Sequence, residues 1–128
     1  MKVKLLVVDD DADTRGLLDY VFCGAGYDVS LAATGTEGVQ KARQIQPDVV
    51  LLDIMLPDID GFTVAELLRR NEATARSRVV MLSAYGGVSV QARGIECGVA
   101  DCLLKNAGIE RILASVEQVV AEIGPSAR

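Results

Sequence analysis

The sequence contains no histidine, and this absence removes several classes of function. A Ser-His-Asp or Cys-His nucleophile, a zinc site with imidazole ligands and a histidine phosphoacceptor are all excluded. The three cysteines, Cys23, Cys97 and Cys102, include no Cys-x-x-Cys pair, so neither a disulfide framework nor a zinc knuckle is expected. We expect reduced thiols and therefore a cytoplasmic protein.

Long apolar segments and an excess of basic residues are absent as well. No run approaches the roughly 18 residues of a membrane span, and the amino-terminal run is too short for a signal peptide. The formal net charge is −5, whereas a surface that binds nucleic acid needs a basic patch. The 128 residues suit one domain, which we assign to residues 1–124, followed by a short tail at 125–128.

Short apolar runs alternate with longer segments of helical periodicity along the chain. The runs cover residues 3–8, 27–31, 48–52, 78–82 and 100–104. Several are apolar at successive positions, which is typical of strands buried on both faces of a parallel sheet. Five repeats of strand and helix predict an α/β fold: a five-stranded, parallel, doubly wound sheet of order 2-1-3-4-5 flanked by five helices, the flavodoxin-like arrangement. Thr34 and Glu37 have capping-box spacing at the start of the second helix.

Charged and polar side chains follow four of the five predicted strands. These are Asp9, Asp10 and Asp11 after the first strand, Asp53 after the third, Ser83 after the fourth and Lys105 after the fifth. Because parallel strands end at one edge of the sheet, we expect these side chains to converge. Clustered carboxylates need a cation, and oxygen ligands with room for water suit Mg²⁺. A cation, an ammonium and a hydroxyl around one further carboxylate suit transfer of a phosphoryl group to that carboxylate.

Each of these residues also has a purely structural interpretation. Asp11 or Asp13 can cap the first helix and complement its dipole. Asp53 can form a turn, Ser83 can be a helix-entry or turn residue, and Lys105 can be a solvated loop residue. The four acids within residues 9–13 nevertheless hold most of the excess negative charge, since the remaining acids nearly balance the 13 bases. Helix capping alone does not require that density of charge.

Four segments of the chain resemble the receiver domain of two-component response regulators. They are LLVVDDD (5–11), VVLLDIMLPDIDGF (49–62), VVMLSA (79–84) and GVADCLLKN (98–106). The second is highly specific, with an acid after an apolar strand, then Met-Leu-Pro and then Asp-Gly. The resemblance covers residues 2–122 and implies a switch driven by phosphorylation in two-component phosphorelay signalling.

The resemblance also implies a metal site. Asp10 and Asp53 would bind Mg²⁺ directly, or Mn²⁺ in its place. The backbone carbonyl of Met55 would be a third ligand, and Asp9 would act largely through water.

The same resemblance assigns the phosphoryl chemistry. Asp53 would accept the phosphoryl group from a phosphohistidine of a sensor histidine kinase or a phosphotransfer protein. Lys105 would pair with the phosphoryl oxygens. Ser83 would hydrogen-bond one of them and, by moving inward, pull the following loop into an active arrangement.

Two positions depart from the family pattern. Asn106 stands where the family usually has a proline joined by a cis bond; because a cis bond to a non-proline residue costs about 2.5–4 kcal/mol, we expect a trans bond or visible strain. Cys102 stands where the family has an aromatic switch residue. We therefore hypothesise that the signal passes through Tyr85, or through Gly86 and Gly87.

The leading interpretation is a stand-alone phosphoacceptor and not an enzyme for external substrates. It would phosphorylate itself with Mg²⁺ and lose the phosphate slowly. It would present the face of the fourth helix, fifth strand and fifth helix to a protein target or effector domain. We expect no direct contact with nucleic acid or membrane. The alternatives are a receiver excised from a longer hybrid kinase or transcription factor, and a degenerate receiver that binds partners without phosphorylation. An aspartyl-phosphate hydrolase is disfavoured, because Met55 stands where such enzymes have a second acid.

Overall fold

Each apolar run of the sequence forms a strand, and each periodic segment that follows forms a helix. The computed structural model describes residues 2–123. Its strands are β1 (Lys4–Val8), β2 (Asp28–Ala32), β3 (Val49–Asp53), β4 (Arg78–Ser83) and β5 (Asp101–Leu104). Its helices are α1 (Ala12–Gly24), α2 (Gly35–Ile45), α3 (Gly61–Arg70), α4 (Val88–Glu96) and α5 (Ile109–Ile123), with a short 3₁₀-helix at Lys105–Ala107. The predicted tail at 125–128, and residue 124 before it, lie outside the described residues.

The strands form one parallel sheet in the order β2-β1-β3-β4-β5, which confirms the predicted topology. Individual strand limits differ from the prediction by about one residue. The second strand begins at Asp28; Tyr27 precedes it and packs its ring edge-on against Phe22, with ring centroids 5.2 Å apart. Asp53 and Ser83 are the last residues of β3 and β4, not the first residues after them.

Alternate side chains of the strands enter two separate apolar cores, one on each face of the sheet. In β1, Leu6 and Val8 belong to the core that packs against α2 and α3, whereas Leu5 and Val7 belong to the core that packs against α1 and α5. All of β3 is buried. Burial on both faces explains why the strand runs are continuously apolar. It also fixes the register, because a slip of one residue would exchange the two sets of side chains.

Helix α4 is attached to the core by few side chains. Gly94 is its single buried residue, and Val90 is partly buried. Val88 and Ile95 are 87% and 76% exposed. No side chain caps the start of α4; its N-cap is Gly87, whose φ of 137° favours glycine.

None of the helices in the described part of the chain is long and apolar enough to cross a membrane.

The predicted helix caps are present in altered form. Thr34 accepts a hydrogen bond from the Glu37 amide at 3.0 Å, and the Glu37 carboxylate accepts one from the amide of Ala33, one residue before the N-cap. Asp11 is the N-cap residue of α1, but its carboxylate accepts the Thr14 hydroxyl at 2.6 Å and no backbone amide. The charge of Asp11 therefore stays near the positive end of α1 without forming a standard cap.

A second carboxylate reaches the start of α2 from another part of the chain. Asp58 lies between β3 and α3. Its Oδ1 accepts the Gly35 amide at 2.8 Å, and its Oδ2 accepts the amide and the hydroxyl of Thr36 at 2.8 and 2.5 Å. These hydrogen bonds, the Thr36 hydroxyl above all, hold the pKa of Asp58 well below its usual range. Gly35 permits the close approach, since a Cβ there would lie 2.5 Å from Ile59 Cγ1.

We expect Asp58 to make the free energy of unfolding depend on pH under acidic conditions. A carboxyl whose pKa falls on folding stabilises the fold above its unfolded pKa, about 3.9 for aspartate, and this contribution is lost as the pH drops through the folded pKa. The difference in free energy of unfolding between wild type and Asp58→Asn should be constant near neutrality and shrink below about pH 4. Urea denaturation across this range measures the difference. A difference that persists unchanged into strong acid would contradict the prediction.

Candidate functional site

The carboxyl ends of four strands lie at one edge of the sheet. The register pairs Asp53 with Leu82 and Ser83 with Leu104, so β3, β4 and β5 end side by side. Strand β1 is the other neighbour of β3 and is followed directly by its acids. Residues separated by up to about a hundred positions in the sequence are thereby brought together.

Three carboxylates meet at this edge. Oxygen atoms of Asp9, Asp10 and Asp53 all lie within 4.8 Å of one another. Asp9 and Asp53 are only 1% and 3% exposed, whereas Asp10 is exposed. Negative charges so close together and so poorly hydrated repel each other, so the cluster requires positive charge nearby.

Lys105 supplies part of that positive charge. Its Nζ lies 3.0 Å from Asp53 Oδ2 and 2.9 Å from Asp9 Oδ2. Burial by itself lowers the pKa of a lysine, but the contacts with these two carboxylates outweigh burial and raise the pKa of Lys105 above its usual value. The ammonium therefore stays charged, and it is directed at the acid cluster.

Asp53 is the central carboxylate of the site. Its Oδ2 accepts a hydrogen bond from Lys105, and its Oδ1 accepts the amide of Met55 at 3.1 Å. Burial raises the pKa of Asp53 above its usual range, and the two hydrogen bonds offset only part of that effect. The Asp53 carboxyl is therefore harder to ionise in the folded chain than an exposed aspartate.

The two carboxylate oxygens of Asp9 have different partners. Its Oδ1 accepts the amide of Asp11 at 2.9 Å. Its Oδ2 is within ion-pair distance of Lys105 but accepts no aligned hydrogen bond from the described residues. A buried carboxylate oxygen without a hydrogen bond, beside two further carboxylates, fits an oxygen-liganded cation. Asp10 and Met55 border one depression at this edge, and the acidic cluster can bind a metal ion.

Comparison with known families identifies the domain. The model of the response regulator receiver domain family matches residues 5–117. The chain belongs to this family. The resemblance to receiver domains drawn from the sequence motifs is thereby confirmed.

Two curated relatives illustrate the similarity of this receiver domain to larger regulators. It is 41% identical over 117 residues to the DNA-binding dual master transcriptional regulator RpaA of Synechocystis, covering 91% of this chain and 48% of RpaA. It is 34% identical over 116 residues to the DNA-binding response regulator MtrA of Mycobacterium tuberculosis, covering 91% of this chain and 50% of MtrA. The chain spans about half the length of these relatives.

Solved structures agree with the fold. The chemotaxis protein CheY4 of Vibrio cholerae superimposes with a TM-score of 0.88 and 27% identity, covering 93% of this chain and 99% of CheY4. The receiver domain of Francisella response regulator 1452 superimposes with a TM-score of 0.89 and 26% identity, covering 96% of this chain and all of that one. The receiver domain described here therefore has the CheY-like, flavodoxin-like architecture.

Ser83 lies at the predicted edge, but its hydroxyl is engaged within its own loop. The side chain is 4% exposed. Its Oγ donates to the backbone carbonyl of Tyr85 and accepts the Tyr85 amide at 3.1 Å. The position of Tyr85 is thus tied to Ser83 through main-chain atoms, while the Tyr85 side chain is 71% exposed.

The two positions that depart from the family pattern have ordinary local structures. The described residues contain no cis peptide bond, and Asn106 lies within the 3₁₀-helix that begins at Lys105. Cys102 is partly buried against the core that packs on α2 and α3. Leu104, two residues further along β5, lies beside the loop between β4 and α4: a Cβ on Gly86 would be 3.0 Å from its Cδ2.

Sequence reasoning missed one residue that contacts the acid cluster. Arg15 of α1 donates from Nη1 to the backbone carbonyl of Asp9 at 2.8 Å. It therefore holds the loop that carries Asp9 and Asp10. No signal in the sequence marks this contact, because every residue carries a backbone carbonyl that could accept the hydrogen bond.

Proposed function

We propose that this receiver domain accepts a phosphoryl group on Asp53 from a phosphohistidine of a sensor histidine kinase or a phosphotransfer protein. The observation that carries the proposal is the buried Asp53 carboxylate, held between one ammonium and two further carboxylates. The composition is consistent with this proposal, because the chain has no histidine of its own and the donating imidazole would belong to another protein.

In the proposed transfer, a carboxylate oxygen of Asp53 attacks phosphorus while the phosphorus–nitrogen bond of the phosphohistidine breaks. The products are an acyl phosphate and a neutral imidazole, which takes its proton from solvent. Lys105 is placed to neutralise the phosphoryl oxygens, because its Nζ already contacts Asp53. Met55 orients the carboxylate by donating its amide to Oδ1.

The metal that fits this donor set is Mg²⁺, with Mn²⁺ as a substitute. Asp10, Asp53 and the backbone carbonyl of Met55 would hold it, and Asp9 would act through water. Bound there, the cation would neutralise the charge that builds up on the phosphoryl oxygens during transfer. The arrangement matches the preference of Mg²⁺ for one or two carboxylates together with water and phosphate.

Phosphorylation is proposed to act on the face formed by α4, β5 and α5. In the phosphorylated state the Ser83 hydroxyl would leave the Tyr85 backbone for a phosphoryl oxygen, and the loop before α4 would follow it. Four large apolar side chains on β5, on α4 and in the loop before α4 are exposed by between 42% and 87%: Tyr85, Val88, Ile95 and Leu104. Such side chains on a soluble surface favour a protein target or effector domain as the partner.

The proposed chemistry is confined to the chain itself. It would phosphorylate itself from small phosphodonors with Mg²⁺ and lose the phosphate slowly to water. It would not turn over external phosphoesters, since Met55 cannot transfer a proton. We propose a cytoplasmic location, and no direct contact with nucleic acid or membrane for this domain.

The second candidate is the same receiver acting within a longer regulator. RpaA and MtrA are described as DNA-binding, and the chain spans about half of each. In that case the face of α4, β5 and α5 would contact an output domain of the same protein. A degenerate receiver that works without phosphate is the weaker alternative, because the acids, Ser83 and Lys105 are all present.

The proposal is tested by exposing the purified chain to acetyl phosphate with Mg²⁺ and, separately, with excess chelator. We expect the mass of one phosphoryl group to be added only with Mg²⁺. Borohydride reduces an acyl phosphate to an alcohol, so peptide sequencing by mass spectrometry should then find homoserine at position 53. Uptake that is independent of Mg²⁺, or a label at another position, would contradict the assignment.

A further inference from the structure

The loop between β3 and α3, residues 54–60, carries the backbone carbonyl proposed as a metal ligand. Backbone hydrogen bonds close the base of this loop: Ile54 donates to Leu82 at 3.1 Å, and Gly61 donates to Ile54 at 2.8 Å. Between these points, residues 55–59 make no backbone–backbone hydrogen bond to any described residue. The conformation of the loop therefore depends on its side-chain contacts.

Asp58 provides the polar contact at the far side of this loop. Its two carboxylate oxygens accept three hydrogen bonds, from the amides of Gly35 and Thr36 and from the Thr36 hydroxyl. Ile59, the next residue, also packs closely against Gly35, where a Cβ would lie 2.5 Å from Ile59 Cγ1. The loop is thereby fixed to the start of α2, at a point more than twenty residues away in the sequence.

Helix α2 already has a cap of its own, so Asp58 is not its sole N-terminal partner. Thr34 accepts the amide of Glu37, and Asp58 accepts the two amides before it. The three amides of the first turn therefore all have side-chain acceptors: the N-cap residue of α2 accepts one of them, and the loop accepts the other two. The contact of Asp58 therefore joins two elements, whereas that of Thr34 stabilises one.

We propose that Asp58 is a positioning residue for the divalent cation at the acid cluster, an inference that rests on the proposed function. The loop is held at Met55, whose amide donates to Asp53, and again at Asp58, three residues later. These two contacts together fix where the Met55 carbonyl points. Mg²⁺ requires oxygens at about 2.0–2.1 Å in near-octahedral geometry, so a loop released from α2 binds it more weakly.

The test is a calorimetric titration of the purified chain with MgCl₂. We expect Asp58→Ala to raise the Kd for Mg²⁺ by about 10-fold or more, the range typical of residues that orient metal ligands. Asp58→Asn keeps the size of the side chain and one acceptor oxygen, and should raise the Kd by a smaller factor. Circular dichroism verifies folding, and the asparagine variant carries the comparison if the alanine variant does not fold.

Thr34→Ala is the matched control, because it removes the other cap of α2 and leaves the loop attached. We expect its Kd for Mg²⁺ to equal that of the wild type. An equal rise in Thr34→Ala and Asp58→Ala would overturn the proposal, since weakening of α2 would then explain both. An unchanged Kd in both Asp58 variants would overturn this proposal alone. A wild-type chain that binds no Mg²⁺ would overturn it together with the metal ligation in the proposed function.

Discussion

Replacing Asp53 by asparagine is expected to abolish phosphate uptake from acetyl phosphate while leaving the chain folded. An amide is a much weaker nucleophile than a carboxylate and cannot form the acyl phosphate. In metal-free buffer the variant should be at least as stable as the wild type. Burial raises the pKa of Asp53, so at neutral pH its ionised form is less favourable in the folded chain than in the unfolded chain. Intact mass measures uptake, and urea denaturation measures stability.

Asp48→Asn is the control for this substitution. Asp48 precedes the same strand, β3, at its opposite end, where its carboxylate accepts the Lys4 amide at 2.8 Å. Its asparagine variant should take up phosphate as the wild type does. Equal uptake by Asp53→Asn and the wild type would remove Asp53 as the acceptor.

Gly61→Ala is expected to lower the free energy of unfolding by about 1–3 kcal/mol, the usual cost of overpacking a buried position. Gly61 is the first residue of α3, and a Cβ there would lie 2.5 Å from Asp53 O and 2.8 Å from Ile54 Cα. Both are backbone atoms, so no side-chain rotation relieves the contact. The end of β3 must move, and uptake of phosphate on Asp53 should slow as well.

A glycine with open surroundings provides the comparison. Gly16 lies within α1, and a Cβ there meets no atom within 4 Å. Gly16→Ala should leave uptake unchanged and stabilise the chain by up to about 1 kcal/mol, because alanine is the better helix former. Urea denaturation and the rate of uptake, measured for both variants, separate a local clash from a general effect of adding a methyl group. Equal losses in the two variants would contradict the explanation by contact with Asp53.

The sheet could be predicted because burial on both faces leaves a local signal in the sequence. Every residue of β3 is buried, and its apolar run is continuous. The closeness of Asp9, Asp53 and Lys105 follows from the same property, since parallel strands that start together also end together. What the pattern does not determine is a strand limit to the residue, which is why Asp53 belongs to β3 and does not follow it.

The contacts that hold the loops could not be predicted in the same way. Asp58 follows a proline, a position where an aspartate is typical of a turn, and its partners on α2 lie 22 and 23 residues away. Arg15 binds a backbone carbonyl, which every residue possesses and no sequence pattern marks. The partner of the Ser83 hydroxyl depends likewise on the path of the following residues. These contacts arise only when distant segments are folded against each other.

The sparse attachment of α4 affects how readily the domain can respond. A helix with one buried residue opens locally at a small fraction of the free energy needed to unfold the sheet, so its amide protons should exchange with solvent long before those of β3. Rearranging α4 also sacrifices little apolar burial. Of the elements near the acid cluster, α4 is therefore the one that a modest electrostatic change can displace most easily.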